Sequence, residues 1–371
     1  MQEATDFASI LDAVRERSGQ VDRTASWPAQ DLDALASAGA MRWAVPNDVG
    51  GEGLAPLDLY RGYEQIAAAS LTLALILSQR DSAVATIASA QGFALRDRLL
   101  GALRDNAVFT TVGVAQLTTS RQGGRPALLA TWAAGGWRLD GMIPWATGAA
   151  SSDFIVAGAA LDDGNQLLFL LPTGKALTDP VLAQDLSGAA GVTIDPPLPL
   201  VALRASWTGQ VRCDGVLIPE TLVLRGPEPK VLGHRQHTLP LGQAFLAMGL
   251  CRGGLDLIAA HRSAAASRSF ERLDHQLARL RQQVLDLSAS GREQEAVAAA
   301  PSLRGECNDL AIRITHAAVA LYKGTALLDT HPAQRLAREA MFLLVWSCPD
   351  PVIDCTVDIL SDCSPEYRGA M

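Results

Sequence analysis

The sequence predicts a multi-domain α+β protein in which a helical region is followed by a β domain and then by a helical bundle. Its 371 residues exceed the roughly 100–200 residues usual for one domain. With 49% hydrophobic and 19% charged residues, it has the composition of a globular chain. The spacing of apolar residues also changes along the chain from helical to strand-like and back to helical.

Residues 1–106 have helical spacing. Pro28 can begin a helix and Gly39 is suited to ending it, with apolar residues at three- and four-residue steps between them. A glycine-rich loop at 45–53 interrupts the pattern before it resumes. We therefore predict an N-terminal helical domain over 1–106.

Residues 107–226 have a different pattern. Short apolar runs, among them 108–115, 154–159 and 167–171, are separated by Gly, Pro and Asp. Runs of this length between turn-forming residues are typical of strands. The segment is predicted to be a β domain.

Residues 227–371 return to long helical patterns after Pro227 and Pro229. One apolar stripe repeats at three- and four-residue steps through Leu273, Leu277, Leu280, Val284 and Leu287. Such stripes need partners, which antiparallel helices in a bundle supply. The third predicted unit is therefore a helical bundle.

Charge and hydropathy exclude several classes. The formal net charge of −8 has the wrong sign for a protein that binds a phosphate backbone, and there is no basic stripe, so no nucleic acid is expected as a partner. No run of about 18 apolar residues and no leader-like segment is present, which predicts a cytoplasmic protein without a membrane partner.

Sequence motifs exclude further classes. P-loop, zinc, nucleophile-elbow and dinucleotide-binding motifs are missing, and no metal site is predicted.

The most informative cluster is 141–148, Gly-Met-Ile-Pro-Trp-Ala-Thr-Gly. It places Trp145 and Thr147 two residues apart at the end of a predicted strand. An indole and a hydroxyl in that arrangement can stack on a planar ring and hydrogen-bond its edge. Trp145 as a core aromatic and Thr147 as a turn residue remain the alternatives.

Four ordered sequence blocks resemble the acyl-CoA dehydrogenase family. They are the Pro-x-x-x-Gly-Gly-x-Gly loop at 46–53, the Gly-x-x-x-Trp-x-Thr block at 141–147, the strand-forming segment at 203–219, and the Leu-Asp and His-Gln pairs at 255–256 and 275–276. The resemblance implies an N-terminal helical domain, a middle β-barrel domain and a C-terminal four-helix bundle, assembled as a homodimer or homotetramer.

The resemblance also implies an activity, a cofactor and partners. The activity is an FAD-dependent oxidation of the CH–CH group of an acyl thioester or related small molecule, with an electron-transfer partner or a flavin reductase. FMN is the alternative cofactor. By position, Trp145 flanks the flavin ring and Thr147 bonds near its N5 atom. The residues carried over as cofactor-binding are Val114, Ala115, Gln116, Thr118, Trp145, Thr147, Gln276 and Gly324.

Several residues that contact the cofactor in the family are replaced in this chain. The family's Thr-Glu-Pro is Ala-Gln-Leu at 115–117, and one glycine, Gly324, remains in 323–326. The family's arginine position is Ala265, with Arg262 and Arg268 as the alternatives that could substitute from a neighbouring turn. These changes predict that FAD is held little more tightly than FMN.

The catalytic base is the largest departure. The family's glutamate position is Ser347, and the alternative glutamate position of some members falls in 237–240, which has no carboxylate. Asp350 and Asp354 are candidate replacements. The catalytic residue is therefore unassigned, and three hypotheses stay open: an acyl-CoA dehydrogenase-like enzyme with altered or lost activity, a flavin-dependent monooxygenase of the same fold, and a non-catalytic relative.

Overall fold

The fold follows the predicted order of helices, sheet and helices. The computed structural model describes residues 6–117, 126–186, 188, 190–233, 241–288 and 292–361. Within them, helices occupy the chain up to Arg104, the strands lie between Thr110 and Glu228, and helices return from Gly242. The predicted multi-domain α+β layout is confirmed.

The first helical region contains α1 (Phe7–Thr24), α2 (Ala29–Ser37), α3 (Pro56–Ala69), α4 (Leu71–Ala88) and α5 (Arg96–Arg104). The Ser70 side chain caps α4 by accepting a hydrogen bond from the Leu73 amide. Every residue from Leu71 to Leu77 is buried. Since this part of α4 is covered on all sides, the helix lies in the interior, between its helical neighbours and the sheet.

A buried polar cluster joins α3, α4 and α5. Arg80 Nη1 donates to Asp81 Oδ1 at 2.6 Å, and the Tyr63 hydroxyl donates to Asp81 Oδ2 at 2.8 Å. Arg80 Nη2 donates to the Leu103 carbonyl at 2.6 Å. Both charged residues are at most 2% exposed, and burial raises the pKa of the Asp81 carboxyl. Because each group has partners, the cluster holds three helices in one arrangement.

The middle region forms one mixed sheet. Its strands are β1 (Thr110–Gly113), β2 (Leu128–Ala133), β3 (Gly136–Ala146), β4 (Phe154–Ala160), β5 (Gln166–Pro172), β6 (Val192–Ile194), β7 (Gly209–Ile218) and β8 (Val223–Glu228). The spatial order is β6-β7-β3-β2-β4-β5-β8, and β1 pairs in parallel with β4. A short helix, α6 (Pro180–Leu186), lies between β5 and β6 in the chain.

The last region contains α7 (Gly242–Ala260), α8 (Ala264–Leu287), α9 (Glu293–Tyr322), α10 (Pro332–Leu343) and α11 (Asp350–Ser361). Helix α7 packs against α3, α8, α9 and α10. At Gly249 a Cβ atom would lie 2.4 Å from the Glu64 carbonyl oxygen on α3. Glycine therefore permits the close approach of α7 to α3.

Two hydrophobic clusters result from this packing. One is shared by the N-terminal and C-terminal helices, and the other joins the sheet to α5 and the end of α4. Helix α4 contributes Leu71 to Leu77 to the first cluster and Ala83, Val84 and Ile87 to the second. The division into units at 106 and 226 stays a prediction. None of the described helices is both long and apolar enough to cross a membrane.

Candidate functional site

The end of β3 exposes Trp145. Between the pairs Ile143–Val211 and Ala146–Gly209, β3 has one more residue than its partner β7. Such a bulge interrupts the ladder and redirects side chains. Ile143 and Ala146 are buried, whereas 47% of the Trp145 surface is exposed. The indole is therefore available to a ligand, and the alternative of Trp145 as a core aromatic is wrong.

Thr147, just after β3, begins a chain of three hydroxyls. Its Oγ1 lies 3.3 Å from Thr208 Oγ1, and Thr208 Oγ1 lies 2.8 Å from Ser206 Oγ. Thr147 is half-buried, Thr208 is 9% exposed and Ser206 is fully buried. The chain thus leads from the interior to the residue beside the exposed indole.

A tight turn and an aromatic cluster hold Thr147 in place. Gly148 has a φ of +66°, and a Cβ at this residue would lie 2.7 Å from the Trp27 ring. The Gly148 amide donates to the Ser206 carbonyl at 2.8 Å. Trp27 packs against Phe109 and Trp207, with ring centroids 5.6 and 5.7 Å apart. Glycine is required at 148 by both the backbone conformation and the contact with Trp27.

The turn that carries Ser206 is anchored to the end of α1. Leu203 and Trp207 have φ values of 55° and 47°, which are rare for residues with a side chain. Trp207 Nε1 donates to the Ala25 carbonyl at 2.8 Å, and Arg204 Nη2 donates to the Asp22 carbonyl at 3.1 Å. These contacts hold the turn in a conformation that the local sequence alone does not favour.

The predicted residues at 114–116 lie against the same strand. Val114 and Ala115 are half-buried, and the 3₁₀ turn Ala115–Leu117 packs against β3 and β4. Gln116 is buried, and its Nε2 donates to the Gly113 and Gly158 carbonyls at 2.8 and 2.6 Å. Its Oε1 atom is buried and makes no hydrogen bond in the described part of the chain. Thr118 lies outside the described residues.

Gln276 and Gly324 lie in the helical C-terminal region and not on this sheet. Gln276 is buried on α8, and its Oε1 accepts a hydrogen bond from Arg313 Nη1 at 2.8 Å. Gly324 is exposed in the 3₁₀ turn Lys323–Leu327 after α9. Their role as cofactor-binding residues stays a prediction.

Ser347, which the resemblance places at the family's base position, lies in an exposed turn between α10 and α11 with a φ of 48°. Arg304 on α9 holds this turn. Its Nη1 donates to the Ser347 carbonyl at 2.8 Å, and its Nη2 bonds the Trp346 carbonyl and the Cys348 sulfur. Arg304 is 5% exposed, and burial lowers the pKa of its guanidinium. Within the described residues, the Ser347 hydroxyl has no hydrogen-bond partner.

The candidate replacement carboxylates follow this turn. Asp350 begins α11 and Asp354 lies one helical turn later, and both are exposed. In the described chain neither carboxylate forms an ion pair. Both carboxylates are therefore in contact with solvent.

Sequence reasoning missed the hydroxyl chain, the position of Trp27 and the contact between Arg304 and the Ser347 turn. Thr147 and Thr208 are 61 residues apart, and Arg304 and Ser347 are 43 apart. No local spacing connects such pairs. The available signal is the Arg-x-Ser-x-Thr pattern at 204–208, which by itself indicates only part of a strand-forming segment.

Comparison with known proteins finds similarity over part of the chain. Residues 2–105 match the family model described as "Acyl-CoA dehydrogenase, N-terminal domain". Among curated proteins, benzylmalonyl-CoA dehydrogenase of Aromatoleum aromaticum is 25% identical over 273 residues, which cover 71% of this chain and 67% of that protein.

Solved structures extend the likeness over almost the whole chain. Butyryl-CoA dehydrogenase from Megasphaera elsdenii has a TM-score of 0.78 at 18% identity, covering 97% of this chain and 98% of that one. FMN-bound TdsC from Paenibacillus sp. A11-2 has a TM-score of 0.78 at 16% identity, covering 95% of each chain. The fold is that of the acyl-CoA dehydrogenases. The resemblance seen in the sequence blocks is confirmed, and the chain has an acyl-CoA dehydrogenase-like fold.

Proposed function

We propose that this protein is a flavin-binding oxidoreductase of the acyl-CoA dehydrogenase type, acting on the CH–CH group of an acyl thioester. The observation that carries the proposal is the exposed indole of Trp145 beside the half-buried hydroxyl of Thr147. An aromatic face next to a hydrogen-bonding group suits a large planar ring with polar edge atoms.

The neighbouring groups fit a flavin. The Thr147 hydroxyl makes one hydrogen bond within the described chain, and it can make a further hydrogen bond to a ligand. The turn at 115–117 packs against the strand that carries Trp145, and the buried Oε1 atom of Gln116 lacks a partner within the described residues. A flavin at this place would be covered by Trp145 and bonded at its edge by Thr147.

FAD is the proposed cofactor, with FMN as the alternative. The two predicted cofactor-binding residues in the C-terminal helical region offer little. Gly324 is exposed, and the amide oxygen of Gln276 is already bonded to Arg313. The likeness to an FMN-bound protein is in keeping with a site that relies mainly on the ring. We expect a small preference between the two cofactors.

The dehydrogenation itself needs a base for the α-proton of the thioester. Bound flavin would supply a two-electron acceptor for the β-hydride, and the chain must remove the proton. Within the described residues, no group lies in place to activate the Ser347 hydroxyl, so we do not assign Ser347 as the base. Asp350 and Asp354 are the proposed replacements.

A flavin-dependent monooxygenase is the second candidate, and Ser347 is the observation that favours it. That chemistry uses reduced flavin and oxygen and requires no α-proton base. The similarity to TdsC is compatible with it, since a second structure of that protein, with a TM-score of 0.76, names it a dibenzothiophene monooxygenase. A flavin reductase would then replace an electron-transfer protein as the partner.

One experiment separates these proposals. The purified protein is loaded with FAD or FMN and mixed anaerobically with straight-chain acyl-CoA, and the oxidised-flavin absorbance is followed. Bleaching supports the dehydrogenase. No bleaching, together with substrate-dependent oxygen consumption once a flavin reductase is added, supports the monooxygenase. A protein that gains no thermal stability from either flavin would contradict both, because a ligand must stabilise the state it binds.

Assembly and location are also proposed. We expect a cytoplasmic protein. We also expect a homodimer or homotetramer, because apolar surface in the C-terminal region remains exposed, for example at Leu327 and Val357. Light scattering at tens of micromolar protein tests this. A monomer would contradict it.

A further inference from the structure

We propose that Ser206 and Thr208 orient the hydroxyl of Thr147 so that Thr147 donates, and does not accept, the hydrogen bond at the edge of a bound flavin. This inference rests on the proposed function, in which the flavin lies against Trp145. Its consequence is a lower reduction potential of the flavin. Thr208 is then a positioning residue that acts through Thr147.

The geometry supplies a continuous path. Thr147 Oγ1 and Thr208 Oγ1 are 3.3 Å apart, and Thr208 Oγ1 and Ser206 Oγ are 2.8 Å apart. The Gly148 amide bonds the Ser206 carbonyl at 2.8 Å, which fixes the Ser206 turn against the residue after Thr147. The three hydroxyls are therefore held in sequence by the backbone around them.

The protons of such a chain can be arranged in two directions. Each hydroxyl has one proton to donate and two lone pairs that accept. In one direction Ser206 donates to Thr208 and Thr208 donates to Thr147, which leaves the Thr147 proton for a ligand. In the other direction all bonds are reversed, and the Ser206 proton is left without an acceptor.

Burial selects the first direction. Ser206 is fully buried, and within the described residues Thr208 is the hydrogen-bond partner of its hydroxyl. A buried donor without an acceptor is costly, whereas an unused lone pair on an oxygen that already makes one bond costs less. The chain therefore presents Thr147 to the ligand as a donor.

A donor at this place discriminates between the two redox states of a flavin. The N5 atom of the oxidised ring has a lone pair and no proton, whereas N5 of the reduced ring carries a proton. If Thr147 donates, its proton can bond the N5 lone pair of the oxidised ring. In the reduced ring the same proton would face the N5 proton, and no hydrogen bond would form. Hydrogen bonds to flavin ring nitrogens tune the electronics of the ring, so this one favours the oxidised state.

The test is the midpoint potential of the flavin-loaded protein, measured by reductive titration against a redox dye. Thr208→Val removes the hydroxyl at nearly constant shape. We expect it to raise the potential by about 30 mV, which is a tenfold change in a two-electron equilibrium. Ser206→Ala should shift the potential in the same direction. It replaces Thr208→Val in the measurement if the Thr208→Val protein does not fold. Thr208→Ser restores the hydroxyl and should restore the wild-type potential.

A double substitution shows whether the effect passes through Thr147. Once Thr147→Val is present, adding Thr208→Val should change the potential no further. Thr131→Val, the same replacement on β2, is the control and should leave it unchanged. Flavin bound normally with an unshifted potential in both Thr208→Val and Ser206→Ala would overturn this inference alone. Failure of the wild-type protein to bind flavin would overturn the proposed function together with it.

Discussion

Arg304 Nη1 donates a hydrogen bond of 2.8 Å to the carbonyl oxygen of Ser347, across 43 residues of chain. The same guanidinium bonds the carbonyl of Trp346. A buried arginine on α9 thus fixes the turn that contains Ser347, where the resemblance predicts the glutamate position of the acyl-CoA dehydrogenase family.

The first prediction concerns this contact. Arg304→Met should lower the free energy of unfolding by about 1–3 kcal/mol, because it leaves two carbonyls without their donor. Hydrogen exchange should also increase between residues 346 and 350. Urea unfolding and exchange mass spectrometry measure the two effects. Arg272→Met, an exposed arginine on α8 without an ion pair in the described chain, is the control, and an equal loss in both variants would show that the turn contact is unimportant.

The second prediction restores a carboxylate at Ser347. If flavin and the acyl pocket are both in place, Ser347→Glu should raise the rate of flavin bleaching by acyl-CoA at least tenfold, about 1.4 kcal/mol of barrier. In the control variant Ser347→Gln, the new side chain is similar in size to glutamate but has no basic group, so the bleaching rate should not rise. If the wild-type protein already reacts at a rate normal for the family, the base lies elsewhere, with Asp350 and Asp354 the first residues to substitute.

The third prediction concerns flavin retention. Trp145→Ala should weaken flavin binding several-fold, since aromatic stacking contributes about 0.5–1.5 kcal/mol beyond the buried area. Trp132 on β2 is 59% exposed, compared with 47% for Trp145, so Trp132→Ala is a matched control that should leave binding unchanged. Fluorescence titration with FAD and with FMN measures both variants. Equal affinities in the two variants would contradict the placement of the flavin.

The fourth prediction separates backbone strain from steric contact at Gly148. Gly148→Ala places a Cβ 2.7 Å from the Trp27 ring at a φ of +66°. Gly164 has a φ of +86° with nothing within 4 Å of its Cβ position, so Gly164→Ala introduces strain alone. We expect losses of about 1 kcal/mol for Gly164→Ala and about 2–4 kcal/mol for Gly148→Ala. Denaturant unfolding of both variants measures the difference, and equal losses would show that Trp27 moves aside.

The fifth prediction concerns alkaline pH. Burial raises the pKa of the Cys307 thiol from 9.0 to about 12. The unfolded chain therefore releases this proton above about pH 9 while the folded protein keeps it, so stability falls as the pH rises from about 9 to 12. Cys307→Ala should remove up to about 1.4 kcal/mol of that loss per pH unit. Leu310→Ala, another buried residue of α9, controls for lost volume and should keep the wild-type slope between pH 8 and 10.

The sequence shows those features of the structure that arise from residues close together in the chain. Helical spacing over Leu273 to Leu287 indicated a buried face, which the structure places on α8. The two-residue spacing of Trp145 and Thr147 at the end of a strand indicated a possible ring site, and the structure exposes the indole there. Such patterns are readable because burial follows the period of a helix or a strand.

Only the tertiary structure decided which distant residues meet. The pairing of β3 with β7 brings Thr208 to Thr147, and the packing of α9 against α10 and α11 brings Arg304 to Ser347. The Trp27 ring reaches Gly148 because the end of α1 is bonded to the turn at 203–207. The sequence by itself therefore determined the order of helices and strands and identified Trp145 and Thr147 as candidate binding residues. The hydrogen-bond partners of those residues were set by strand register and helix packing, since these depend on the whole core and leave no local spacing in the chain.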